Sequence, residues 1–331
     1  MKNTVTKDRY TLGLFLVAAI LVCLVRFNGN QFFVQQEPYD AKYFNAYVNF
    51  FRGETIVVPI RPISNWRLLL PLVASFLPFS AATSLNLVNL FCVIGTLLII
   101  RKTFSDLQIS TQNQWFALGL YIFSFPTFYY SCISYVDPGS IFFLAIGIYS
   151  VLKNNGLLLT FAMVFGLLAK ETIVLLIPFA FTYAVLNRNW KQAILVILLF
   201  GLYFLEYHAI KLYAPLSANE NQFKSWQISN QAAWNNLARW HTGASFILSF
   251  GLIGFLVFYQ LFHSKKLILT NTLAIASLTG ILSTFALYAY SYITTVADGR
   301  IIWHAYFFFL LLIFDPKLMG PPTKLWTSKQ Q

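Results

Sequence analysis

The stretch Glu37-Pro38-Tyr39-Asp40-Ala41-Lys42-Tyr43-Phe44 places two carboxylates directly after a long apolar run. Arg67, Asp137, the adjacent Lys170-Glu171, Glu206 and Asp298-Gly299-Arg300 also lie beside or within apolar segments. Charge in that setting is costly, so such residues are paired, functional or both. Their chemistry is limited. A fixed carboxylate can take a proton from an attacking hydroxyl, while guanidinium and ammonium groups can steady negative charge on a departing anion such as phosphate. Asp40 is the candidate base, and Arg67, Lys170 and Arg300 are the candidate anion-binding groups. Glu37, Asp137, Glu171 and Asp298 are candidates for supporting or acceptor-binding roles. Cys23, Cys92 and Cys132 show no metal-ligand spacing, and no Gly-rich phosphate loop occurs, so no metal site or cofactor is assigned. Whether a divalent metal assists stays open.

The elements that must position these residues follow from composition. With 58% hydrophobic, 18% aromatic and only 10% charged residues, the chain lies far from a soluble globular domain. Its net charge of +12 comes from short basic clusters between apolar segments, the pattern of lipid anchoring and topology signals, which excludes nucleic acid as a partner. Apolar segments at 10–27, 80–100, 114–132, 138–152, 156–169, 172–186, 192–209, 244–262, 268–292 and 301–314 predict an all-α polytopic protein with about ten transmembrane helices. The first segment reads as a retained anchor, because "VRFNGNQFF" after it lacks a small-x-small cleavage site. Ala41–Phe51 predicts an interfacial helix in the first external loop, with Tyr43, Phe44, Tyr47, Phe50 and Phe51 as its aromatic face. A second break, at Pro71 and Pro78, separates a short helix near 66–79 from the following span. Residues 1–331 read as one membrane-embedded module without a separate soluble domain.

Orientation follows from the basic clusters at Lys2/Lys7/Arg9, Arg101/Lys102, Lys153, Arg188/Lys191, Lys265/Lys266 and Lys317/Lys324/Lys329, which fall on alternate connections. Both termini are expected in the cytoplasm, with the long connections 28–66 and 210–243 outside a cytoplasmic membrane. Asp8, Asp106 and Asp315 then fall inside. The other carboxylates fall outside, apart from Glu206 in the outer part of a span. Arg52, Arg61 and Arg67 run against the topology bias on that side, which an anionic ligand or lipid headgroups would reward. Headgroup anchoring is the favoured role for Arg52.

Several motifs together resemble one family. "EPYDAKYFNAYVNFFRGE", "RPISNWRLLLPLVASFLP", "YVDPGSIFFLAIGIY", "LLAKETIVLLIPF" and "ADGRIIWHAYFFFLLL" are similar to segments of the polytopic GT-C glycosyltransferases, in particular bacterial enzymes related to protein mannosyltransferases and aminoarabinose transferases. The resemblance implies an inverting glycosyltransferase whose active site faces the outside. The implied donor is a polyprenyl-phosphate-linked sugar, and the acceptor is a glycan, lipid or protein. This chain departs from the larger members in lacking a C-terminal soluble domain and an adjacent Asp-Glu pair in its first loop. A transporter or flippase for a lipid-linked sugar is the alternative, since broken helices and intramembrane charges also build transport sites.

Plainer roles stand beside these. Asp40 and Asp137 each precede a helical segment and can cap it. Lys170 and Glu171 can neutralise each other at a hairpin tip. Trp226, Trp234 and Trp240 suit either sugar stacking or an interfacial aromatic belt. His304 is assigned to the interior and not to the machinery.

Overall fold

The computed structural model describes residues 2–33, 40–55, 67–213, 230–294 and 297–318, and every regular element among them is helical. A helix satisfies its backbone hydrogen bonds within one segment, as an apolar environment requires. The chain opens with α1 (Lys2–Phe33) and the short α2 (Ala41–Phe51). Next come α3 (Leu69–Ser75) and α4 (Ala81–Asp106), two separate helices as the proline pattern predicts. The aromatic face of α2 is turned into the protein: Tyr43, Phe44 and Tyr47 are buried, and α2 packs on α3 and α4. Arg52 is not a headgroup anchor. It donates to the carbonyls of Ser75 (3.3 Å), Ala74 (3.4 Å) and Leu77 (2.7 Å) and to Ser84 Oγ (3.0 Å). It thereby closes the orphan carbonyl end of α3 onto the start of α4.

Segment 114–132 is not one continuous helix. It divides into α5 (Thr111–Ile122) and α6 (Phe125–Tyr130), because Ser124 leaves the helical conformation and accepts the Thr127 N–H at 3.3 Å, with Pro126 in the first turn. The hairpin of α7 (Asp137–Leu152) and α8 (Gly156–Ala169) follows, with Asn155 capping α8. A 3-10 helix (Glu171–Leu175) leads into α9 (Leu176–Leu186), and α10 (Trp190–Tyr213) completes the first part of the bundle.

The second part contains α11 (Asn230–Ala238), α12 (Trp240–His263), α13 (Lys265–Ile268) and α14 (Thr272–Thr294). Helix α12 is kinked at Gly251, whose φ of +37° suits a residue without a side chain. Segment 301–314 is also broken, into α15 (Arg300–Trp303) and α16 (Tyr306–Ile313). Every residue of α16 is buried, and the helix packs between α12 and α14. Its Phe308 ring packs against Phe179 in a tilted arrangement with centroids 5.3 Å apart, and a Cβ on Gly280 would lie 2.8 Å from the Phe308 ring. An all-apolar helix is thus used as a central post, not as a lipid-facing span.

Among the described residues, four helices are long and apolar enough to cross a membrane: Ala81–Asp106, Trp190–Ile210, Trp240–His263 and Thr272–Thr294. Shorter apolar helices accompany them, so the architecture is that of an integral membrane protein; helix length and composition do not confirm the ten crossings expected. The helix bundle has two chemically different ends. At one, Asp106 meets Lys102 and Lys153, each at 2.8 Å, and Asn154 accepts from Asn189. Phe104 contacts Phe314, next to Asp315, which accepts from Asn271. Four connections near basic clusters, and the stretch after α16 that carries Lys317, therefore share one end. The 16 residues of α7 carry the chain from Lys153 at that end to Asp137 at the other, about 24 Å away at 1.5 Å per residue.

Candidate functional site

At the end opposite the basic connections, separate elements deliver three cations and four carboxylates to one place. Asp40 precedes α2, Arg67 precedes α3, and Asp137 opens α7. Lys170 and Glu171 join α8 to the 3-10 helix, and Asp298 and Arg300 open α15. Lys170 pairs with Asp137 in a short ion pair in which the side chains are only 7% and 1% exposed. Arg67 grips Glu171 through two parallel bonds, Nε to Oε2 at 3.0 Å and Nη2 to Oε1 at 2.5 Å. Arg300 donates from Nε to Asp298 at 2.7 Å and from Nη1 to Asp40 at 3.1 Å.

Local backbone explains the pairing. Lys170 is extended (φ −170°, ψ 142°), so its side chain and that of Glu171 diverge to different partners and do not neutralise each other. Asp40 has helical φ and ψ (−86°, −24°) and makes no side-chain cap bond, so its carboxylate is left for Arg300. Asp137 is not the cap of α7 either; Val136 holds that position, and the Asp137 carboxylate turns to Lys170. Burial works against charge on both arginines, but Glu171 raises the pKa of Arg67, and Asp298, Asp40 and Asp137 raise that of Arg300. Both stay protonated.

In comparisons with family models, curated proteins and solved structures, nothing matches this chain. The site has to be read from its own geometry.

Several supporting residues escape the reading of charges alone. Tyr135 lies under the Arg300 guanidinium, 4.4 Å from ring centroid to Cζ. The loop that carries it is tied to α4: Asn89 donates to the Tyr135 carbonyl at 2.6 Å, and Asn86 accepts the Ser134 N–H at 2.6 Å, with Ser134 at φ +59°. Tyr203 on α10 donates to the Glu171 carbonyl at 3.2 Å. Beneath the ion pairs runs a relay in which Ser140 Oγ meets Thr172 Oγ1 at 2.8 Å and Thr172 Oγ1 meets His304 Nε2 at 2.9 Å. His304 Nδ1 lies 3.0 Å from the Arg300 carbonyl, which can only accept. That fixes the proton on Nδ1 and leaves Nε2 to accept from Thr172. The relay joins α7, the 3-10 helix and α15, the three elements that bear Asp137, Glu171 and Arg300.

A sequence signal for some of these exists. Asn86 and Asn89, three apart among the apolar residues Leu85, Leu87, Val88 and Leu90 of α4, mark a face turned to protein instead of lipid. The site is recessed accordingly, since Asn89 lies about 12 Å along α4 from Ala81. Glu37, Arg61 and Trp226 lie outside the described residues. Trp234 and Trp240 are 70% and 77% exposed, as an aromatic belt would be. No hydrogen bond or ion pair joins Glu206 to the cluster among the described residues. Nor do three His, Cys, Asp or Glu side chains converge on a metal-sized site there.

Proposed function

We propose that this protein is a membrane glycosyltransferase that moves a sugar from a polyprenyl-phosphate-linked donor to a glycan, lipid or protein acceptor on the outer face of the cytoplasmic membrane. The observation that carries the reading is the convergence of Asp40 with Arg300, Arg67 and Lys170 at the end of the bundle opposite the basic connections. A cluster recessed below one end of α4 suits a lipid-linked donor, whose phosphate lies close to the membrane surface. In the inverting reaction, an acceptor hydroxyl oxygen bonds to the anomeric carbon while the carbon–oxygen bond to phosphate breaks. The bonding pair leaves with the phosphate oxygen, and the hydroxyl proton passes to Asp40. Arg300 steadies the leaving phosphate because it is the most exposed of the three cations in the cluster. Lys170 is nearly closed off by Asp137 and acts through the electrostatic frame rather than by direct contact.

The test is transfer from a radiolabelled prenyl-phosphate sugar by the purified protein, with envelope glycans of a deletion strain compared by mass spectrometry to identify the acceptor. Asp40→Asn preserves shape but removes the base, and transfer should fall by about 10²-fold or more with the protein still folded. Near-normal transfer by that variant would shift the base to Glu37. Movement of the lipid across the bilayer without cleavage of its sugar would instead favour a flippase.

A further inference from the structure

Arg300 holds two carboxylates in different ways. Asp298 is bonded to it twice, through the side chain at 2.7 Å and through the Arg300 backbone N–H at 2.9 Å, from only two residues away. Asp40 reaches the guanidinium from 260 positions along the chain by a single contact of 3.1 Å. The backbone at Arg300 is secured independently by His304 on its carbonyl, and the plane of the guanidinium by Tyr135. Of all these contacts, the Asp40 bond is the one that can be exchanged without disturbing the rest. It is also within reach, since Arg300, Asp40 and Asp298 side chains keep 18%, 24% and 26% of their surface exposed. A phosphate offers oxygens that fit a guanidinium edge at least as well as a carboxylate does.

We infer that a donor phosphate oxygen and the Asp40 carboxylate compete for the same edge of Arg300, so that binding of the donor phosphate releases Asp40 and frees the base. The inference rests on the glycosyltransferase reading for the identity of the anion. Until the donor arrives, the lone pairs of Asp40 face the guanidinium instead of an acceptor hydroxyl. When phosphate takes that edge, charge repulsion between phosphate and carboxylate turns Asp40 away from Arg300. The exchange makes donor-first order a property of the site.

Competition predicts a sign that a direct contact role does not. With full-length protein in phosphatidylcholine nanodiscs, Asp40→Asn should bind farnesyl phosphate about three- to tenfold more tightly than wild type, because a competitor has been removed. Asp40→Ser should behave likewise, and thermal melting confirms that each variant is folded. Arg300→Gln should weaken binding by about tenfold or more, and Asp40→Asn should then add nothing in that background. Inorganic phosphate should follow the same order of variants at lower affinity. Unchanged or weaker farnesyl phosphate binding by Asp40→Asn overturns the competition while leaving the donor reading standing. If wild type binds no prenyl phosphate, both fall. If nanodiscs containing phosphatidylglycerol abolish the binding, Arg300 is a headgroup anchor and the competition is likewise overturned.

Discussion

At the scale of single residues, the cluster behaves as a set of coupled pairs in a poorly solvated place, where losing one partner harms more than losing both. Arg67→Ala leaves Glu171 charged and without its fork, which should destabilise the protein by about 2–4 kcal/mol. Adding Glu171→Gln removes the orphaned charge and should restore much of that loss in a thermal melt. If the double variant melts no higher than Arg67→Ala, the pair is not the unit drawn here. His304 makes a similar case for neutral groups. His304→Phe takes one of two partners from the Thr172 hydroxyl, which keeps Ser140, and the imidazole donor from the Arg300 carbonyl, and should cost about 1–3 kcal/mol. His304→Gln, which keeps an amide able to donate and accept, should recover part of it. Melting of His304→Phe at the wild-type temperature would show that the relay contributes nothing.

At the scale of elements, short helices owe their positions to side chains that close their ends. Seven residues of α3 are too few to be stable alone. Arg52 gathers the carbonyls that such a helix leaves open, and its removal should free α3 from α2 and from the start of α4. Arg52→Ala is expected to lose about 1–3 kcal/mol and to expose the α2–α3 region to protease. Arg52→Lys should be intermediate, because an ammonium lacks the planar fork that reaches several acceptors. Equal proteolysis of Arg52→Ala and wild type would contradict the capping role. The consequence reaches the site, since Asp40 lies at the start of α2 and Arg67 just before α3.

At the scale of the whole molecule, the separation of a basic end from a carboxylate-rich end makes orientation testable. In a background without Cys23, Cys92 and Cys132, single cysteines at the exposed positions Glu54 and Asn230 should react with an impermeant thiol reagent in intact cells. A cysteine at the exposed Lys266, next to the opposite end, should react only after permeabilisation. Labelling of Lys266→Cys alone in intact cells would reverse the molecule and put the charged cluster on the cytoplasmic side.

The helical class is legible from residue order alone, because so apolar a chain has few other ways to satisfy its backbone, and so is the break between α3 and α4, because two prolines mark it. Residue order also identifies charged residues costly enough to need partners. Asp40, Arg67, Asp137, Lys170, Glu171, Asp298 and Arg300 were all visible as charges beside apolar runs, and all seven meet. Which charge meets which follows from the folded arrangement. Lys170 and Glu171 are neighbours in sequence but diverge from an extended backbone, while Asp40 and Arg300 join across nearly the whole chain. Hydropathy also could not distinguish an apolar helix facing lipid from one enclosed by other helices: segment 301–314 leads from Arg300 at one end of the bundle to Asp315 at the other, yet α16 is enclosed by protein. Periodicity and composition report what a segment prefers to avoid, namely water, whereas the identity of its neighbours is settled by packing among segments far apart in the chain.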